Sequence, residues 1–260
     1  MNALSNFYTT PFVIFTFVLA RVSGLVMTAP IFGSDTVPTQ VRAFLAFALA
    51  LIITPVQITA RLAMPANLVT YTLSLGGELL IGMVLGIGVM ILMSGVQVAG
   101  QIMSQMSGMS LADVFDPGID AEVPVMATML NLVTIAVFVL IGGHRLLLGA
   151  LLDTYSFLPL GHANLQPSLG SLIVTLFAES FSLATRCAAP AIVALMLATI
   201  VLGLISRTLP QLNILAIGFG LNAVVSFATL VLSIGAIAWL FQEQLEPAVQ
   251  AIVESLHSVA

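Results

Sequence analysis

Charge is what this sequence has least of. Only 17 of its 260 residues are ionisable as Arg, Asp or Glu, and none is Lys. A soluble domain of this length carries about 65 charged residues, taking a quarter of composition. Seventeen do not cover the surface of such a domain, which excludes a soluble monomer. Six scattered arginines build no basic patch, which excludes nucleic-acid binding. A single cysteine, Cys187, excludes a disulfide scaffold. The missing Lys removes any Walker-type nucleotide site. No Gly-x-Ser-x-Gly elbow is present. His144, His162 and His257 are too dispersed for a metal site, and the acidic run Asp113–Glu122 lacks the EF-hand spacing. Cys187 lies in an apolar stretch, where a thiol is inert. Neither catalysis nor a cofactor is expected.

What is present is apolar sequence, 60% of the chain, with a mean hydropathy of +1.16. This excludes disorder and points to an all-α membrane protein. Residues 1–20, 43–60, 79–112, 123–144, 154–178, 187–206 and 208–242 contain no charge. A spanning helix needs about 20 apolar residues. Trimmed by turn chemistry, the gaps predict about six apolar segments: 11–31, 42–60, 68–106, 123–152, 171–206 and 214–242. They are expected to form long, kinked helices and helical hairpins. The third is long enough to tilt, kink or fold back at Gly86, Gly88 or Gly95, and Pro190 favours a kink in the fifth. No basic residue precedes the first apolar run, so no cleavable signal is expected there. Arg42 and Arg207 against Arg61 is too small a bias to orient the chain. No repeat of 20–50 residues is visible.

Five charges fall inside these segments: Arg21, Glu78, Arg145, Glu179 and Arg186. A charge at a helix centre costs about 2.5–3.5 kcal/mol on insertion scales, so each is expected to face protein or water. They are either packing and assembly contacts or, in the alternative reading, the path of a secondary transporter for a small solute built on Glu78 and Glu179. Glu179 and Arg186 are too far apart along one helix for a direct bond. Glycines at 76, 77, 82, 86, 88, 142, 143, 149, 218 and 220 allow close backbone approach, within the chain or between subunits. The acidic residues Glu243, Glu246 and Glu254 read as a tail that either caps the last helix in solvent or touches a partner protein.

The most unusual stretch is Gly100–Gly118. Eight of the twelve methionines lie between Met83 and Met129, and Met103, Met106 and Met109 recur at intervals of three. Asp116-Pro117-Gly118 is a turn signal. Unbranched methionines suit either ordinary gap-filling or a seal that reshapes around what passes it.

Four stretches together carry a family resemblance. They are Arg21-Val-Ser-Gly-Leu with Ala29-Pro30-Ile-Phe-Gly33, Pro38 and Arg42; Glu78-Leu-Leu-Ile-Gly82 with Gly100, Gly108-Met-Ser-Leu-Ala and Asp116-Pro117; Gly142-Gly-His144 with Phe157-Leu-Pro159-Leu-Gly161; and Arg207-Thr-Leu-Pro210-Gln211-Leu-Asn213. In this order the chain resembles the FliR/SctT family of export-gate proteins, and the first and last runs look like its flagellar branch. The resemblance implies a non-enzymatic core subunit of a protein-export channel in the bacterial inner membrane. It implies assembly with FliP-type and FliQ-type subunits and contact with FlhB-type and FlhA-type proteins. It implies a single export-gate domain, with a P-like part over about 1–165 and a Q-like hairpin over about 166–260. It also implies that the loop 105–122 plugs the lumen for unfolded substrates. Met103, Met106, Met109, Leu111, Val114 and Phe115 are the expected sealing residues.

Overall fold

The computed structural model describes residues 3–33, 37–58, 67–109, 124–161, 168–209, 211 and 214–257, the side chains at 3–9, 168–169 and 214–216 excepted. All the regular structure among them is helical. In chain order the helices are α1 (Ala3–Thr28), α2 (Thr39–Gln57), α3 (Leu68–Ser107), α4 (Val125–Leu140), α5 (Gly143–Phe157), α6 (Ser168–Thr208) and α7 (Ile214–His257). Five are long and apolar enough to cross a membrane, and α4 with α5 passes the same test as a broken pair.

Three expectations are corrected. The third segment does not fold back: α3 runs unbroken for 40 residues, about 60 Å at 1.5 Å per residue. Of the three glycines where it was expected to bend, Gly86 and Gly95 press against neighbouring backbone and Gly88 against the Ile252 side chain. The fourth segment is not one helix. Gly142 has φ +75°, a left-handed conformation that glycine adopts without penalty. It ends α4, and its carbonyl accepts the N–H groups of Arg145 and Leu146 to start α5. The last segment is longer than expected: α7 continues through Pro247 to His257, with Glu243, Glu246 and Glu254 exposed along it. Leu245, Ala248, Val249, Ile252 and Leu256 are buried at helical spacing, and the glutamates occupy other faces.

Contacts divide the chain into two compact units. The first holds Met1–Ile91, Gly142–Leu176 and Leu245–Ala260. Its α1 buries Ile14, Phe17, Val18, Arg21, Val22 and Leu25, one stripe at a 3–4 residue period. That stripe lies parallel to the first half of α3, so numbering rises together on both helices. Phe17 stacks on Tyr71 at 5.6 Å, and the Tyr71 hydroxyl donates to Thr16 at 2.8 Å. Asn67 caps α3, its Oδ1 accepting the Thr70 N–H at 2.8 Å. Further along, a Cβ on Gly24 would collide with the Leu79 carbonyl, one on Gly82 with the Arg21 carbonyl, and one on Gly86 with Thr28 Oγ1. These glycines are what lets α1 and α3 touch backbone to backbone. The end of α7 packs here too, with Ile252 seated over Gly88. By contrast α2 buries little beyond Ala46, Ala50, Ile53 and Thr54.

The second unit holds Leu92–Ile141 and Phe177–Gln244. Leu92, Val96, Ala99 and Met103 form the inward stripe of α3. Gly95 abuts Ser180 of α6, and Gly100 abuts the backbone of Met126 and Ala127 at the start of α4. In this unit α6 and α7 pair antiparallel, bringing Gly218 to Leu202 and Glu243 to Arg186.

Candidate functional site

The first unit contains the most concentrated polar chemistry among the described residues. Arg21 and Glu78 are both completely inaccessible to solvent. Arg21 Nε donates to Glu78 Oε2 at 2.6 Å. Its Nη1 donates to Thr154 Oγ1 at 3.0 Å, and its Nη2 to the Leu158 carbonyl at 3.1 Å. The guanidinium also lies 4.4 Å from the centre of the Tyr155 ring, a cation–π contact. The other carboxylate oxygen, Glu78 Oε1, accepts the Gly161 N–H at 2.8 Å. The Thr154 hydroxyl in turn donates to the Leu151 carbonyl at 2.6 Å.

Chemically this is a clamp. A buried ion pair is tolerated only where further hydrogen bonds satisfy both partners. Here those bonds go to the two ends of one turn, the Leu158 carbonyl and the Gly161 N–H. Gly161 has φ +84°, and the turn carries the chain out of α5. Three of the motif stretches noted in the sequence therefore meet at one point, through Arg21 with Gly24, Glu78 with Gly82, and Leu158 with Gly161. Sequence reasoning picked out Arg21 and Glu78 one by one but did not pair them, and it passed over Thr154 and Tyr155. Fifty-seven residues separate the two charges, and no helical period links positions on different helices.

The other intrahelical charges behave differently. Arg145 is exposed on the first turn of α5. Arg186 is exposed on α6 and approaches Glu243 at 3.9 Å, each side chain about half accessible. Such an exposed pair contributes about 0–1 kcal/mol. Glu179 is half-buried on α6. Both oxygens of Glu78 are engaged in the clamp.

The second feature is the end of α3. Gly108 has φ +78° and closes the helix, its N–H donating to the Gln105 carbonyl at 3.2 Å. Ser107 Oγ donates to the Ser104 carbonyl at 2.9 Å. Met103 is a core residue of the second unit, 1% exposed, because it continues the inward stripe Leu92–Val96–Ala99. Met106 and Met109 are half-buried at the helix end. Leu111, Val114, Phe115, Asp116 and Pro117 lie outside the described residues, as do Pro210 and Asn213.

The remaining motif positions shape turns. Pro30 follows α1, and a Cβ on Gly33 would press on the Ala29 carbonyl. Pro38 precedes α2, its carbonyl accepting the Val41 and Arg42 N–H groups. Arg42 Nε donates to the Val37 carbonyl at 3.0 Å. Pro159 is exposed within the clamped turn, Arg207 in the last turn of α6 complements the helix dipole, and Gln211 is exposed beyond it.

Outward faces are strongly apolar. Phe44 is 77% exposed on α2 and Leu232 84% on α7. Open apolar grooves run along both, one lined by Val41, Phe44 and Ala48, the other by Val224, Phe227 and Val231. Among the described residues no group of His, Cys, Asp or Glu is arranged to hold a metal ion.

Comparison with known proteins bears on these features. The family model described as "Bacterial export proteins, family 1" matches residues 12–248. The flagellar biosynthetic protein FliR of Caulobacter vibrioides is 28% identical over 245 residues, covering 92% of this chain and 96% of that protein. The protein of the same name from Bacillus subtilis is 29% identical over 243 residues, 91% of this chain and 90% of its own. That of Escherichia coli is 31% identical over 215 residues, 81% and 80%. Each similarity spans both compact units, and the chain belongs to the FliR family of bacterial export proteins.

Proposed function

We propose that this chain is a non-enzymatic core subunit of the flagellar protein-export channel in a bacterial inner membrane. The observation that carries the reading is the family match across residues 12–248, with relatives named as flagellar biosynthetic proteins. Its apolar outer faces on α2, α6 and α7 support a chain that works only when covered by lipid and by other subunits. The covering subunits in this proposal are FliP-type and FliQ-type, with FlhB-type and FlhA-type proteins alongside. Residues 1–165 act as a P-like part and 166–260 as a Q-like hairpin. The methionine-rich segment 105–122 plugs the lumen against ions and yields to unfolded substrates. Met106, Met109, Leu111, Val114 and Phe115 supply its apolar contacts. Met103 anchors the segment, since it is already committed to the core.

In this account the Arg21–Glu78 clamp positions the turn after α5 and moves no solute. The engagement of both Glu78 oxygens favours that role over a transport path. Deleting the coding sequence from its host tests the function. Flagellar proteins should vanish from the culture medium and return with a restored copy. Continued export without the chain would sink the proposal.

A further inference from the structure

We propose that Asn222 and Ser226 on α7 bind one ordered water molecule inside the second unit. Asn222 Oδ1 and Ser226 Oγ are both buried, and neither has a hydrogen-bond partner. Ser226 is wholly inaccessible. An oxygen left unpaired in an apolar helix interior costs free energy that a membrane solvent does not return.

Other hydroxyls on these helices resolve the problem locally. Thr54, Thr134, Thr199 and Thr229 each donate to the carbonyl four residues earlier, at 2.6–2.8 Å. Ser226 makes no such bond. Tyr155 on α5 and Gln244, eighteen residues beyond Ser226 on α7, also carry an unpaired buried oxygen, but neither has a second such atom within a helical turn. At Asn222 and Ser226 two such atoms lie four residues apart, on one face of α7. Side chains at that spacing have Cβ atoms about 5–6 Å apart. Two hydrogen bonds of about 2.8 Å span such a gap.

The chemistry selects water. The Asn222 oxygen only accepts, so the bridging group must donate to it. The Ser226 hydroxyl donates or accepts, so water satisfies it in either sense. A metal ion needs more oxygens than these two neutral ones supply. The water ties two successive turns of α7. This site stands independently of the export function.

Two measurements on the protein purified with the subunits it carries test the proposal. A high-resolution cryo-electron microscopy map should show a density peak about 3 Å from both oxygens. Ser226 turned back onto the Asn222 carbonyl, or bonded directly to Asn222 Oδ1, would overturn it. In thermal unfolding, Ser226→Ala and Asn222→Ala should each lower the midpoint by about 2–4 °C. The double variant should fall no further than the worse single one, because the same water is lost once. A higher midpoint for Ser226→Ala, or additive losses, would also overturn it, since either marks two independent unpaired oxygens.

Discussion

Replacing Arg21 by Met removes the positive half of the clamp and leaves Glu78 buried with only the Gly161 N–H for company. The Leu158 carbonyl loses its donor in the same step. Breaking one side of a buried pair costs about 3–5 kcal/mol, chiefly because a charge is left uncompensated. For a chain of this size 1 kcal/mol corresponds to about 2–4 °C, so the midpoint should drop by roughly 6–20 °C. Glu78→Leu should do comparable harm by stranding the guanidinium. The double variant Arg21→Met/Glu78→Leu strands no charge. It still leaves the Leu158 carbonyl and the Gly161 N–H unpaired, at about 1–3 kcal/mol each. Its loss should therefore be close to that of either single variant and far below their sum, a coupling of about 3 kcal/mol or more. Midpoints of the four proteins in one detergent, read by intrinsic fluorescence, close the cycle. Additivity within about 0.5 kcal/mol would refute the reasoning, since it would mean that the two charges do not depend on each other.

Gly82→Ala puts a Cβ into the Arg21 carbonyl and should cost about 1–3 kcal/mol by prising α1 from α3. Gly149→Ala meets nothing and should leave the isolated chain unchanged or up to about 1 kcal/mol more stable; chemical denaturation of both variants checks the contrast. Ile252→Ala should lose about 2–5 kcal/mol, measured the same way, because the end of α7 is core; a surface-like change below about 0.5 kcal/mol would restore the tail. Deleting residues 109–118 leaves α3 and its Gly108 closure in place and should raise ion conductance across membranes carrying the assembled channel, as patch recording would show. Unchanged conductance with intact assembly would argue against a plug.

Much of the fold is legible in the sequence because lipid-scale apolar runs are a strong signal. Charge gaps locate α2, the long α3 and α6, and the start of α7 to within a few residues. The misses have local causes. The break between α4 and α5 rests on the backbone conformation of Gly142, and a Gly-Gly pair in an apolar run reads equally as packing. Three glutamates, at 243, 246 and 254, mask the apolar period at 245, 248, 249, 252 and 256 that carries α7 to its end. Arg21 and Glu78 stand out singly because buried charge is rare. Their pairing, and their hold on Leu158 and Gly161, is tertiary and leaves no spacing in the chain. Asn222 and Ser226 are two ordinary polar residues until burial shows their oxygens to be unpaired.

The central claim is that this chain works inside an assembly of unlike subunits. Native mass spectrometry of the chain co-expressed with the P-type and Q-type proteins of its own organism tests it most directly. A stable complex holding one copy of this chain among several copies of the others is the predicted result. A monomer or homodimer that ignores both partners would contradict the account and return attention to Glu78 and Glu179 as transport residues.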